Sequence, residues 1–386
     1  MQDVTRESQK NLFTVISTFS GAGGSSVGYK LSGGNVLVAN EFVNHAFESY
    51  RLNHKDQIVL TDDIKNLSGD DFLNCSNLKP TELDIFDGSP PCTHFSVSGK
   101  REKSWNKVRI YHGHSQFQIE NLTLEMLRIA NDLQPKVVII ENVKGLTYGK
   151  ASLYLNKFKV ELNKIGYLCL HRVLNASYYG VPQNRERTFI IGIRRDVAEK
   201  LDIHEIQLSN LLFPKQNREK VILKDAFCGL DKDENYIPEC ELRMNKIING
   251  NCVVRETLRK IPKNPEKPVK FSKVLRKVAA ENINDPKFAK FNGRDSYFNY
   301  VRFSWKTPAP TLTGNCRTHF HPDEDRTFTI SELIRIMSLP DDYKFAPGSL
   351  SDVEERIGLM VAPLMMRAIS DNLYHRVIKP YNELIC

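Results

Sequence analysis

Hydrophobic and polar positions along this chain follow two alternating periods. Short runs rich in β-branched and aromatic residues, Leu12 to Phe19, Val36 to Ala39 and Ile58 to Leu60, read as strands. Ala46 to Asn53 reads as the helix between the second and third. A further run, Leu83-Asp84-Ile85-Phe86, reads as a strand stopped by the turn signal Asp87-Gly88. Gln118 to Leu133 has helical spacing, with Leu122, Met126, Ile129 and Leu133 on one face and Pro135 as a stop. Lys136 to Ile140 is almost continuously apolar, as expected of a strand covered on both faces. Leu153 to Ile165 reads as a helix, and Tyr167 to Leu174 and Thr188 to Ile193 as strands. This alternation predicts an α/β fold with a mostly parallel sheet. From about Asp196 it is lost, and prolines scatter at Pro214, Pro238, Pro262, Pro265 and Pro268. Regular character returns at Tyr300. Ser331 to Leu339 is expected to be a helix capped by Ser331, and Val353 to Tyr374 a helical stretch broken near Ala362-Pro363. The expected division is a first domain over 1–195, an irregular domain over 196–299, and a segment 300–386 returning to the first domain.

Candidate chemistry collects where predicted strands end. Open α/β sheets bind ligands at the carboxyl ends of their strands. The first strand runs into Ser20-Gly21-Ala22-Gly23-Gly24-Ser25-Ser26. A dinucleotide G-x-G-x-x-G beginning at Gly21 needs glycine at position 26, where Ser26 stands. A pyrophosphate cradle is therefore disfavoured. A nucleoside with a small zwitterionic tail fits, its carboxylate on the amides of the helix start. Glu41, after the second strand, can accept from both ribose hydroxyls; the alternative is a solvated charge in a first helical turn. Asp63-Ile64, after the third, offers a carboxylate for an adenine amino group and an apolar neighbour for its ring.

After Asp87-Gly88 comes Ser89-Pro90-Pro91-Cys92. Two prolines fix two φ angles and remove two amide donors, so Cys92 sits on a stiff stalk. A lone cysteine is ordinarily a small buried hydrophobe. Here Lys100 to His114 holds five Lys/Arg against Glu102, with Trp105 and Tyr111 among them. Positive surroundings favour a nucleophilic thiolate, and basic residues interleaved with aromatics suit a polyanion. Glu141 follows the apolar run Lys136 to Ile140, where desolvation raises a carboxyl pKa. Arg185 and Arg187 alternate on one face at the start of a strand; they either pair at the surface or aim at a substrate oxygen.

Composition narrows the setting. The 386 residues are enough for two domains, and the net charge is +8. Residues 243–294 alone carry fourteen Lys/Arg and four Asp/Glu, so the basic excess is concentrated there and after Cys92. Beside a proposed site, that favours a phosphate-backbone footprint over a merely solvated face. The eight cysteines include no C-x-x-C pair, so neither a zinc site nor a disulfide framework is indicated, and no metal is expected. Met1 to Asn11 is too polar for a signal peptide and no apolar run approaches membrane-spanning length, which makes the cytoplasm the expected location.

Taken together, these residues resemble a cytosine-5 DNA methyltransferase of the bacterial restriction-modification type. Phe19-Ser20-Gly21-x-Gly23-Gly24 is similar to the family's S-adenosylmethionine loop, Pro91-Cys92 to its catalytic Pro-Cys, and Glu141-Asn142-Val143 to its Glu-Asn-Val. Gln183-x-Arg185-x-Arg187 is similar to its Gln-x-Arg-x-Arg motif, and Arg302-Phe303 with Pro308-x-Pro310-Thr311-Leu312 to its penultimate motif. Ser17-Thr18-Phe19 stands where the family usually has Asp-Leu-Phe, Thr93 where glutamine often follows the cysteine, and Leu359 where Gly-Asn-x-Val has asparagine. The last leaves open a polar contact near the cofactor's methionine end.

The resemblance implies a Rossmann-like S-adenosylmethionine-dependent methyltransferase domain plus a smaller irregular target-recognition domain over 196–299. It implies Cys92, Glu141, Arg185 and Arg187 as catalytic residues. It implies S-adenosylmethionine contacts at Phe19, Ser20, Gly21, Ala22, Gly23, Gly24, Glu41, Phe42, Asp63, Ile64, Leu122 and Val361. The implied partner is duplex DNA, with a cognate restriction endonuclease acting on the same site; the expected protein is a monomer at the bacterial nucleoid. Three alternatives stand beside it. A tRNA cytosine-5 methyltransferase of the same fold carries a Cys-Phe-Thr signature absent here. A catalytically silent homologue would not need an intact Pro-Cys and Glu-Asn-Val. A Rossmann oxidoreductase is disfavoured by Ser26.

Overall fold

The computed structural model describes residues 1–91, 110–111, 114–115, 122–217, 219–230, 240, 260–271, 274, 300–314 and 316–385. The N-terminal half alternates as its periodicity predicts. Helix α1 (Gln2–Ser8) precedes β1 (Phe13–Thr18), α2 (Gly24–Leu31), β2 (Gly34–Asn40), α3 (Asn44–Asn53) and β3 (Ile58–Leu60). Then come α4 (Gly69–Ser76), β4 (Ile85–Gly88), α5 (Leu122–Leu133), β5 (Val137–Val143), α6 (Ala151–Lys164), β6 (Tyr167–Asn175) and β7 (Glu186–Arg194). These strands form a seven-stranded sheet in the order β3-β2-β1-β4-β5-β7-β6. All neighbours are parallel except β7, which runs antiparallel between β5 and β6. The mixed α/β fold with a mostly parallel sheet is as expected; the reversed strand is a feature that periodicity does not encode.

Alternate side chains feed two cores. Val15, Ile85, Val137, Ile139, Phe189 and Ile191 pack on one face, and Ile16, Phe86, Val138, Ile140 and Ile190 on the other. Each such buried aliphatic contributes about 1.5–3 kcal/mol, which fixes the register that in turn aims the strand ends. At the opposite end of the strands, Lys136 Nζ lies 2.6 Å from Asp84 Oδ1, and Asp84 Oδ2 accepts from the Thr14 amide at 2.8 Å. This buried linkage ties β1, β4 and the start of β5 together away from the chemistry.

Three local expectations are corrected. Asp87-Gly88 is not a turn but the end of β4, paired with Ser17-Thr18 on one side and Ile139-Ile140 on the other. Two flanking strands outweigh the low strand propensity of Asp and Gly. Beyond Asp196 the chain does not lose regularity at once, since α7 (Arg195–Lys200) and α8 (Glu205–Leu212) follow β7. The helix α9 (Ile330–Ile336) is capped by Thr329, not Ser331, in a reciprocal capping box with Glu332.

The C-terminal segment folds back onto the glycine turn. Helix α10 (Leu350–Leu359) is followed by α11 (Pro363–Leu373), which starts on Pro363 and packs on α2. A Cβ on Gly28 would collide with Met366 and the Pro363 carbonyl, so glycine there permits the close approach.

Candidate active site

The turn after β1 is shaped by backbone conformations that side chains resist. Phe19 has φ +49°, unusual for a bulky residue, and Gly21 and Gly23 have φ +56° and +99°. Several groups brace the turn from behind. The Ser20 amide and hydroxyl both donate to the Asn40 carbonyl, and Tyr343 donates to the Ala22 carbonyl. The space beside Gly23 is filled by His54 and Tyr343, and that beside Gly24 by the Val361 carbonyl. Among the described residues nothing lies within 4 Å of a Cβ position on Gly21, so they leave that side of the turn open.

Glu41 lies at the tip of β2 and is buried. Its two carboxylate oxygens accept from the amides of Gly21 at 2.8 Å and Val43 at 2.7 Å. Burial raises its pKa, opposed by the amides of Val43, Gly21 and Phe42. A carboxylate can accept about four hydrogen bonds, so with three backbone amides on it Glu41 holds the turn and keeps acceptor capacity for a ribose hydroxyl. Phe42 is 45% exposed beside it. Asp63 caps a short 3₁₀ turn by accepting from the Lys65 amide at 3.1 Å. Ile64 and Leu122 are buried in one cluster, with Phe19 packed against it. The residues present therefore fit a nucleoside with an amino-acid tail, and Val361 reaches them through Gly24. Leu359, in the position of the polar family residue, is 59% exposed.

Two strands along the sheet is a charged pair. Glu141, on β5, is buried, and Arg187 Nε stands 3.0 Å from its Oε1. Glu141 faces Phe189 and Arg187 faces Val143, so the pair is diagonal across antiparallel strands. Burial raises the Glu141 pKa, opposed first by Arg187, then by Arg185 and the Ser89 hydroxyl. Next to it, Asn142 Nδ2 donates to the Pro90 carbonyl at 3.3 Å. This joins β5 to the proline stalk. Cys92 itself, and the basic segment after it, lie outside the described residues.

Arg185 is 1% exposed, and its guanidinium donates to the carbonyls of Leu312 at 3.0 Å, Gly358 at 2.9 Å and Met360 at 2.8 Å. These bonds hold the C-terminal segment, and Arg185 also lies close enough to Glu141 to favour its ionised form. Gln183 works alongside, its Oε1 accepting from the Leu312 amide at 3.0 Å.

Residues not anticipated from sequence include His54 and Asp87. His54 is buried, with Nδ1 3.0 Å from Lys30 Nζ; burial and then Lys30 hold its pKa well below the usual imidazole value. Among the described residues no cluster of three metal-ligating side chains occurs, and no helix is long and apolar enough to cross a membrane.

The family model described as C-5 cytosine-specific DNA methylase matches residues 13–375. The chain belongs to the C-5 cytosine-specific DNA methylase family. Among relatives of this methylase, Type II methyltransferase M1.HphI of Haemophilus parahaemolyticus is 28% identical over 362 residues, covering 93% of this chain and 86% of that protein. Type II methyltransferase M.Eco47II of Escherichia coli is 28% identical over 374 residues, covering 96% and 80%. The fold of the methylase is shared with a prophage-encoded E. coli protein described as a DNA modification methyltransferase. That structure has TM-score 0.66 and 22% identity, covering 94% of this chain and 99% of that one. It is also shared with the Dnmt2 methyltransferase of S. pombe, with TM-score 0.54 and 16% identity, covering 96% and 99%. The methylase is thus a DNA (cytosine-5-)-methyltransferase, and its family implies S-adenosylmethionine as methyl donor and DNA as substrate.

Proposed function

We propose that the methylase modifies C5 of a cytosine flipped out of a specific duplex DNA sequence, through a transient bond between Cys92 and C6 of the ring. A base stacked in a duplex cannot reach a sheet edge, and extruding it costs a few kcal/mol. Cytosine C5 is a poor nucleophile. Addition of the Cys92 thiolate to C6, with a proton from Glu141 placed at N3, turns C5 into an enamine carbon. Arg187 stabilises the negative charge that develops at the ring oxygen. S-adenosylmethionine, when bound, supplies an electrophilic methyl group. Loss of the C5 proton, expulsion of the thiolate and return of the N3 proton to Glu141 then restore the aromatic ring, the free cysteine and the acid.

The observation that carries this reading is the alignment of Glu141 and Asn142. One side chain meets Arg187 at 3.0 Å, and its neighbour holds the stalk that leads to Cys92. The glycine turn, Glu41 and Asp63 suit the nucleoside and tail of the donor. Arg185 acts here as a positioning residue for the segment around Val361. Residues 196–299 serve as the target-recognition domain in this reading, their basic stretch neutralising phosphates, and a partner endonuclease would share the recognised sequence.

Bisulfite sequencing of DNA from cells expressing the chain tests the proposal. Methylcytosine at one defined sequence, lost in Cys92→Ser, is the expected result. No methylcytosine, or methylation retained without the thiol, would overturn it.

A further inference from the structure

Asp87 is a carboxyl that neither the glycine turn nor the Glu141–Arg187 pair accounts for. It lies in β4, on the strand that leads to Cys92, and is fully buried. Its Oδ2 accepts from the Ser17 hydroxyl at 3.0 Å, while Oδ1 has no hydrogen-bond partner of normal geometry among the described residues. Strand register sets Asp87 against Ser17 of β1 and Ile139 of β5. Residues two apart on a strand share a face, so Glu141 stands on the same side of the sheet as Asp87. Strand spacing and rise put the two Cα atoms about 8 Å apart.

Among the described residues, five groups face Asp87. Ser17 comes from β1, Ser25 and Tyr29 from α2, Tyr50 from α3 and Glu141 from β5. Among the described residues, Arg187 and then Arg185 act on Glu141. Two buried carboxyls therefore share the charge of one contacting guanidinium. Asp87 stands on the strand between the one that carries Ser17 and the one that carries Glu141.

We propose that Asp87 is a positioning residue for methyl transfer: tied to β1 by Ser17 and set beside Glu141, its carboxyl opposes loss of the proton that Glu141 presents to the cytosine ring. The inference rests on Glu141 acting as that acid. Burial, with Glu141 adding to it, pushes the Asp87 carboxyl up to about 7. Two carboxyls set on one face of adjacent strands oppose each other's ionisation, because a second negative charge beside the first is disfavoured. Remove the second carboxyl and Glu141 ionises at lower pH.

The test moves the acid to β1 in the double variant Ser17→Asp/Asp87→Ser, which preserves a hydroxyl–carboxyl pair at this register. Single-turnover methyl transfer from labelled S-adenosylmethionine to unmodified bacteriophage DNA is followed from pH 5.5 to 9, with thermal melts confirming folding. The parent should show an alkaline limb that is absent from the residual activity of Glu141→Gln. In the double variant the limb should move down by about one pH unit, making the loss at pH 8.5 about tenfold greater than the loss at pH 6. A limb that stays in place, or an equal loss at every pH, overturns the role of Asp87 while leaving Glu141 as the acid. A parent without an alkaline limb, or a limb kept in Glu141→Gln, removes the acid reading of Glu141 and this proposal with it.

Discussion

The Asn142 side chain donates to the Pro90 carbonyl at 3.3 Å, so the residue after Glu141 grips the stalk two residues before Cys92. Prolines remove amide donors and stiffen the chain, but they do not by themselves fix where a stalk points. That aim comes from the neighbouring strand. Asn142→Ala should therefore slow single-turnover methyl transfer by about 10- to 100-fold, the cost typical of a small misplacement of a reacting group. Its thermal midpoint should fall only as expected for one buried hydrogen bond, about 1–3 kcal/mol. An unchanged rate would mean the stalk is aimed without it.

Arg185 carries a structural prediction. Arg185→Ala strips donors from the buried carbonyls of Leu312, Gly358 and Met360. A loss of about 3 kcal/mol or more in urea unfolding is expected. Arg185→Lys should recover only part of it, because an ammonium lacks the rigid fork that reaches several acceptors. A variant as stable as the parent would return Arg185 to the substrate side of the site.

The glycine turn predicts a contrast between neighbours. A methyl group on Gly24 meets the Val361 carbonyl, whereas one on Gly21 meets nothing within 4 Å among the described residues. Gly24→Ala should destabilise the fold by about 1–3 kcal/mol through overpacking and weaken S-adenosylmethionine binding. Gly21→Ala should cost about 1 kcal/mol of backbone strain at φ +56°. Calorimetry with the cofactor on both variants decides; equal effects would contradict this packing.

Much of this was legible in the chain. The periods of Leu12 to Phe19 and Lys136 to Ile140 located strands whose ends hold Phe19 and Glu141. What escaped was set by pairing across the chain. Asp87-Gly88 has turn composition, yet strands on both sides recruit it into the sheet. Arg185 and Arg187 have the same chemistry and spacing, and only contact with Leu312, Gly358 and Met360 separates a clamp from the partner of Glu141.

The buried Asp87 also predicts a pH-dependent stability. The folded chain holds its proton up to about 7, whereas an unfolded aspartate releases it near pH 4. Between those values the folded state binds more protons, so stability falls as pH rises through that window and levels off above it. Asp87→Asn removes this dependence. Urea unfolding at pH 5 and pH 8 should show the variant gaining about 2–3 kcal/mol on the parent between the two. A difference that does not change with pH would contradict a protonated Asp87.

The central claim is a bond between Cys92 and the pyrimidine ring. Replacing the C5 hydrogen by fluorine blocks the final elimination and freezes that bond. DNA copied with 5-fluorodeoxycytidine in place of deoxycytidine, incubated with the protein and S-adenosylmethionine, should give a complex that survives denaturing electrophoresis. Peptide mapping should place the nucleotide on Cys92, and Cys92→Ser should form none. A parent protein that methylates ordinary DNA without forming this complex, or a Cys92→Ser variant that still forms it, would contradict the account.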